Sequence, residues 1–201
     1  NVLPELGVSQ LLTYHLGETE TAINGEFELD IREAPLREVL LSIPRGFVIA
    51  KVTASGLSDY FLRESTNQPD AELRLVYGSP IANRQAIELR LERNGALGQT
   101  NWNLPRVQVL KAKSTRGHVA VSADAGFRLT PDRTVGLGDI ATAFFPKKVA
   151  GIQAAFRIVE PNWDATLRIE RLPQSIQADV FHLFSIGEGI AYGSSTMNYF
   201  I

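Results

Sequence analysis

Alternation of apolar and polar residues with a period of two is the feature that most restricts the fold of this chain. Residues 26–31 alternate acids with hydrophobic residues, and the runs 71–77, 87–92 and 167–170 repeat the pattern. Such alternation places one set of side chains on a core and the other set in water, as in an antiparallel sheet. The pattern predicts a mostly β protein, and the regular spacing of short runs predicts an antiparallel β-sandwich with many strands.

Turn residues separate these runs. Asn24-Gly25 and Asn94-Gly95 predict tight turns, because both central positions of a type I′ turn favour positive φ. Prolines such as Pro35 and Pro80 fall between runs and are expected to end strands. The predicted strands are 10–16, 26–31, 37–43, 47–54, 59–63, 71–77, 85–93, 106–112, 116–122, 126–130, 153–159, 165–171, 176–184 and 189–193.

Two segments also fit a helix. Residues 139–146 fit one or two turns, with Asp139 as the cap and Pro146 as the stop. Residues 175–184 fit both the helical and the strand period, and we favour a strand because the neighbouring segments are strands. The fold therefore contains at most one short helix, near 139–146.

The length of 201 residues suits one large domain or two small ones. We expect a β-sandwich unit over 1–150, with 151–201 as further strands of that unit or the start of a second β module. A shift of 138 positions lays Leu29 on Leu167 and Ile31 on Ile169. Tandem modules and chance both explain this similarity. We interpret both ends of the chain as cut points in a larger protein.

Composition excludes several classes of protein and partner. Apolar residues make up 44% of the chain and charged residues 21%, which excludes a disordered chain. A net charge of −2 offers no basic field for a phosphate backbone, so no nucleic-acid partner is expected. No apolar run approaches the length of a membrane helix. Without cysteine there is no disulfide, thiolate metal site or cysteine nucleophile, which is compatible with an exported protein.

Catalytic motifs are missing. The chain has no Gly-x-Ser-x-Gly elbow and no Walker lysine, and His15, His118 and His182 lie far apart. We predict no catalytic residue and no cofactor, which favours a non-catalytic role. The basic residues Lys111, Lys113, Arg116 and His118 lie at a turn between predicted strands. They suit an anionic polymer or a membrane surface, and we favour protection of an edge strand.

An acidic strand is the candidate metal site. Glu26, Glu28 and Asp30 share one face, about 7 Å apart at successive positions. This arrangement suits a hard cation, and the same spacing suits the carboxylate pair of a glycosidase. The alternative is a solvated face whose acids pair with Arg or Lys of a neighbouring strand.

The two tryptophans form the candidate ligand site. Trp102 lies between Asn101 and Asn103, and Trp163 lies between Asn162 and Asp164. An aromatic ring beside hydrogen-bonding side chains suits a sugar, which points to a carbohydrate-binding or carbohydrate-processing domain. The alternative is that each indole plugs the open end of a sandwich while its polar neighbours make a turn.

Residues 27–52 carry a resemblance to a known group. An alternating strand is followed by Leu40-Leu41-Ser42-Ile43-Pro44-Arg45-Gly46-Phe47 and a second strand. This pattern resembles β-sandwich modules of large, uncharacterised bacterial envelope proteins. The resemblance implies an exported, multidomain parent in the periplasm, at the cell surface or secreted. We therefore expect a structural or recognition module whose partners are other domains of the parent, a glycan or another envelope protein.

Overall fold

The computed structural model describes residues 3–173 and 177–200, without the side chain of Phe200. Strands form almost all of its regular structure. They are β1 (Glu5–Leu16), β2 (Glu20–Pro44), β3 (Val48–Ala54), β4 (Leu57–Arg63), β5 (Asp70–Asn94), β6 (Asn101–Asn103), β7 (Gln108–Val109), β8 (Ser114–Ala123), β9 (Phe127–Val135), β10 (Leu137–Ile140), β11 (Ile152–Ile158), β12 (Asp164–Arg171), β13 (Gln177–Gly187) and β14 (Ile190–Phe200). A 3-10 turn at Thr142–Phe144 lies within the segment predicted to be helical.

One large sheet dominates the described residues. Its strand order is β10-β11-β8-β1-β2-β5-β3, with β4 also paired to β5 and β7 to β2. The pairings are antiparallel except that β1 and β8 run parallel, with Leu11 opposite His118. The strands β6, β12 and β9 form a second, smaller sheet. The predicted mostly β, antiparallel fold is confirmed.

The core lies between these two sheets. Long stretches of β1, β2 and β5 bury alternate residues, as in β1, where Leu12, Tyr14 and Leu16 are almost fully buried. The end of β8 instead buries residues 119–123 in succession, and Ala120 there belongs to a second, small apolar cluster with Phe145 and Ala155. The small sheet contributes Trp102 and Leu167 to the same apolar cluster. The opposite face of the large sheet carries the other residues of each alternation, and we call it the open face.

The two longest strands bend at the same place. The pairing of β2 with β5 shifts register between Ile31 and Leu36, where Glu33 on β2 and Asn83 on β5 have positive φ. The prediction of separate strands at 26–31 and 37–43 is therefore wrong, since the ladder resumes beyond Pro35. The turn predicted at Asn24-Gly25 is also wrong. This dipeptide lies inside β2, which is hydrogen-bonded to β1 on one side and β5 on the other.

The chain divides into two compact units, residues 1–170 and 171–201. The expected boundary at 150/151 falls inside the first unit, between the 3-10 turn and β11. The second unit contains the antiparallel hairpin of β13 and β14. Residues 177–184 form a strand as favoured, while 175 and 176 lie outside the described residues.

The similar segments at offset 138 belong to different sheets, β2 to the large one and β12 to the small one. No helix within the described ranges is long and apolar enough to span a membrane.

Candidate functional site

A groove crosses the open face of the large sheet. Its main row of side chains is set by the strand register: Arg157 on β11 lies opposite His118 on β8, which lies opposite Leu11 on β1. The same row continues through Glu26 on β2 to Glu88 on β5. A second row holds Arg116, Ser9, Glu28 and Ala86. The groove has a volume of about 790 Å³, and Val159 contributes an exposed apolar side chain to its rim.

The acidic end of the groove is neutralised by ion pairs. Lys147 contacts Glu26, and Lys51 donates to Glu88 with Nζ 2.9 Å from Oε2. The hydrogen bond from Lys51, with its positive charge, lowers the pKa of Glu88. These two cations allow two glutamates to lie directly opposite each other, an arrangement that would otherwise be repulsive.

The predicted metal site occupies this end of the face. Glu28 lies 3.8 Å from Nη1 of Arg84, and Asp30 pairs with Arg32 at 2.6 Å. With Glu26 bound to Lys147, each of the three predicted carboxylates therefore has a basic partner. Within the residues that the structure describes, no group of three acidic or histidine side chains is placed to hold a metal ion. The contacts seen are those of the alternative, a solvated face paired with basic neighbours.

The basic end of the groove differs. Nε of Arg116 donates to Oγ of Ser9 at 2.8 Å, and neither Arg116 nor Arg157 forms an ion pair with a carboxylate of the described residues. His118 has an edge-to-face contact with Phe145, with ring centres 6.4 Å apart. Three basic side chains are thus gathered without acidic partners.

Gly117 holds this end of the groove in place. It lies between Arg116 and His118 with φ at +148°, and it faces Gln10 on β1. A Cβ added there would lie 1.8 Å from the backbone oxygen of Gln10, so only glycine permits this approach of β8 to β1. The strand that follows the lysines of the basic cluster, β8, is an interior strand between β1 and β11, so the interpretation of these lysines as protection of an edge strand is wrong for β8. Lys111 and Lys113 precede this strand, and Lys113 pairs with Glu5.

A serine, a histidine and an aspartate also come together at the end of β1. Nδ1 of His15 lies 2.8 Å from Oγ of Ser122, and its Nε2 lies 3.0 Å from Oδ1 of Asp124. These are the residue types of a nucleophilic triad, and sequence reasoning missed them because more than a hundred positions separate His15 from the other two. Nothing in the local sequence marks the group.

The exposure of these three residues is the reverse of what catalysis requires. Ser122 is 1% exposed, whereas the side chain of Asp124 is 48% exposed. A nucleophilic serine must reach its substrate, and the acid that orients the histidine is normally the buried member. The serine also faces Nδ1 rather than Nε2 of the ring. The arrangement suits a polar connection that ties β1 to the end of β8.

Both tryptophans of the predicted ligand site lie in the core. Trp102 is 3% exposed and Trp163 is 2% exposed, and each makes an edge-to-face contact with Tyr14, with ring centres 6.2 and 6.4 Å apart. Oη of Tyr14 donates to the carbonyl of Pro105 at 2.6 Å, and burial raises the pKa of this tyrosine. Since stacking on a sugar requires an exposed ring, the two indoles offer no such surface in this structure.

The polar neighbours of the tryptophans face away from the core. Asn101 and Asn103 are exposed beside Trp102 on β6, and Asp164 is half-buried. Asn162 is exposed and accepts a 3.4 Å hydrogen bond from Nη1 of Arg106. Alternation on β6 places the Trp102 indole and its flanking amides on opposite sides, so these groups do not surround one ligand.

Comparison with solved structures gives matches at low sequence identity. Leukotriene A4 hydrolase from Saccharomyces cerevisiae matches with a TM-score of 0.52 and 8% sequence identity, over 87% of this chain and 30% of its own. Another structure of the native yeast hydrolase matches with a TM-score of 0.51 and 10% identity, over 86% and 31%. The M1 zinc metallopeptidase from Deinococcus radiodurans gives a TM-score of 0.46 and 9% identity, over 96% and 47%.

The chain spans less than half the length of that metallopeptidase and about a third of the hydrolase. No protein-family model and no curated protein matches the sequence. At this level of identity, the likeness to the hydrolase establishes a shared fold and carries no residue role.

Proposed function

We propose that this chain is a non-catalytic recognition module of a larger exported bacterial protein, and that the groove is its binding surface. The observation that supports the proposal is the groove itself, which gathers basic side chains without acidic partners beside apolar ones such as Leu11 and Val159. Ligand sites are typically concave, mostly apolar and supplied with a few polar groups.

Two further points support the proposal that this module belongs to a larger exported protein. The same fold covers 30% of the yeast hydrolase chain, so it occurs there as one part of a longer protein. The resemblance of residues 27–52 to envelope-protein modules supports an extracytoplasmic location. A purely structural module would use the large sheet without any ligand in the groove.

A thermal-shift screen tests the proposal. The purified chain is screened against short peptides, glycans, alkyl phosphates and fatty acids, and compared with an Ala86→Trp variant. Ala86 is exposed and lines the groove, so an indole there should fill it. A ligand at 100 times its Kd raises the free energy of unfolding by about 2.7 kcal/mol, which is visible as a higher Tm.

The matched control is Ala82→Trp, which adds the same ring at an exposed position of the same strand outside the groove. We expect at least one class of compound to raise the Tm of the native chain and of Ala82→Trp, but not of Ala86→Trp. A flat panel, or an equal shift in all three proteins, would contradict the proposal and favour the structural alternative.

A further inference from the structure

We infer that Arg116, His118 and Arg157 form a subsite that binds an anionic group, a carboxylate or a phosphate, attached to an apolar portion of the ligand. The inference rests on the proposed function, since it assigns the ligand chemistry of the same groove. Four features of the structure lead to it.

The first is the arrangement of the three side chains. Arg157 and His118 are directly opposite each other on neighbouring strands, so their Cβ atoms are about 5 Å apart. Arg116 is two residues from His118 on the same face of β8, about 7 Å along the strand. This spacing places three nitrogen-bearing side chains within reach of a single small oxyanion.

The second is the lack of compensating charge. Other basic side chains of the open face have carboxylate partners: Arg32 with Asp30, Arg84 with Glu28, Arg90 with Glu92, and Lys51 with Glu88. Arg116 and Arg157 lack one among the described residues, although the glutamates of β2 lie on the same face. Neighbouring like charges repel, so a bound anion would reduce the repulsion between the two guanidinium groups.

The third feature is that contacts within the protein already orient two of the three donor side chains. Arg116 is fixed through Nε by Ser9, which leaves its two terminal amino groups without a partner in the described part of the chain. The Phe145 ring restrains His118, whose ring nitrogens have no described hydrogen-bond partner either. Donors that are oriented before binding lose less entropy when the ligand arrives.

The fourth is the apolar surface beside the cluster. Leu11 separates the basic end from the ion-paired acidic end, and Val159 on the rim is 58% exposed. Two strand spacings, about 10 Å, separate the backbones at His118 and Glu26. A short alkyl or other apolar portion can therefore lie over Leu11 while its anionic group contacts the arginines.

Isothermal titration with three six-carbon probes tests the inference: hexyl phosphate, hexanoate and neutral hexanol. The proteins are the native chain, Arg116→Gln, Arg157→Gln and the matched control Arg168→Gln. Arg168 is an exposed strand arginine of the small sheet without a described ion pair. All three arginines are exposed, so these substitutions should leave folding intact.

We expect one or both anions to bind at least about tenfold more tightly than hexanol, and to lose roughly tenfold in affinity in Arg116→Gln and in Arg157→Gln. Arg168→Gln should bind like the native chain. Raising NaCl from about 0.05 M to about 0.5 M should weaken the binding of the anions and leave that of hexanol unchanged. The anion with the lower Kd shows whether the subsite prefers a phosphate or a carboxylate.

Two results overturn the inference, and they separate it from the proposed function. If hexanol binds as tightly as the anions and Ala86→Trp blocks all three probes, the groove is a binding site without an anion subsite. If no probe binds, or the arginine variants behave like Arg168→Gln, the anion subsite is excluded. A flat thermal-shift panel as well would contradict the recognition module itself.

Discussion

The two faces of the large sheet are made by the same strands but hold opposite kinds of side chain. On β1, Leu12 and Tyr14 of the core face are completely buried, while Ser9 and Leu11 of the open face are only half-buried. The core face meets the small sheet and both tryptophans. The open face carries ion pairs, the groove and the basic cluster, together with a small apolar cluster of Ala120, Phe145 and Ala155.

This difference separates the residues expected to determine stability from those of the proposed binding groove. Apolar burial contributes most of the free energy of folding, while ion pairs between exposed side chains contribute little. Substitutions on the core face should therefore change stability strongly. Substitutions at exposed positions of the open face should change stability little, and the proposed binding function predicts that their main effect is on ligand affinity.

The largest expected effect is on the core face. Trp163→Ala should lower the free energy of unfolding by about 3–5 kcal/mol, because it removes a buried indole and leaves a cavity beside Tyr14. Urea unfolding followed by circular dichroism measures this loss. The control is the exposed neighbour Asn162→Ala, expected within about 0.5 kcal/mol of the native chain. A loss below about 1 kcal/mol in Trp163→Ala would mean that the indole is not a core residue.

Gly117 affects both faces of the sheet, because it allows the close backbone contact between β8 and β1. Gly117→Ala should cost about 2–4 kcal/mol, from the clash with the Gln10 backbone and from positive φ. The control is Gly78→Ala, whose Cβ meets nothing nearer than Ser58 at 3.9 Å. Equal urea midpoints for the two variants would show that β8 does not approach β1 so closely.

The alternation in the sequence was sufficient to predict the strands and the choice of face for most residues. It failed where local residues suggest turns that the sheet overrides. Gly25 follows Asn24 as in a hairpin, yet β2 continues because β1 and β5 pair with it on both sides. Pro35 suggested a strand end, but the strand absorbs it in an irregular segment that includes Glu33 at φ 67°.

The groove could not be predicted from the sequence. Arg116 and Arg157 come from strands far apart in the chain, and Leu11 meets His118 only through the parallel pairing of β1 with β8. Alternation states which side chains share a face of one strand, but not which strands are neighbours. Both tryptophans were singled out for their polar neighbours, and on β6 the same alternation that exposes Asn101 and Asn103 buries the indole of Trp102.

The hydroxyl groups of two buried tyrosines should differ in their effect on the free energy of unfolding. Tyr14→Phe should cost about 1–2 kcal/mol, because it leaves the carbonyl of Pro105 without its donor. Tyr77→Phe should cost nearly nothing, since the Tyr77 hydroxyl has no hydrogen-bond partner among the described residues. Urea unfolding at pH 7 distinguishes the two. A larger loss in Tyr77→Phe would contradict the hydrogen-bond assignment.

The same tyrosines predict a loss of stability in alkali. Burial raises the pKa of Tyr14, and it raises the pKa of Tyr77 to about 12, whereas an unfolded tyrosine titrates near about 10. The folded chain therefore holds these protons more tightly, so their contribution is complete below about pH 10 and is lost progressively as the pH rises above it. Tyr14→Phe should weaken this dependence. A Tm that stays constant from pH 9 to pH 11.5 would exclude it.

The smallest expected effect belongs to the open face. The Lys51–Glu88 pair is exposed, so a double-mutant cycle with Lys51→Gln and Glu88→Gln should give a coupling near zero at moderate salt. The lowered pKa of Glu88 means that any contribution of the pair is present above the unfolded glutamate pKa and is lost as the pH falls towards acid. High salt should remove it as well. A strong coupling that persists in high salt would show that this pair is shielded from solvent, and the open face would then contribute to stability as the core does. A negligible coupling would leave the charges of this face available for recognition, because changing them would cost the fold almost nothing.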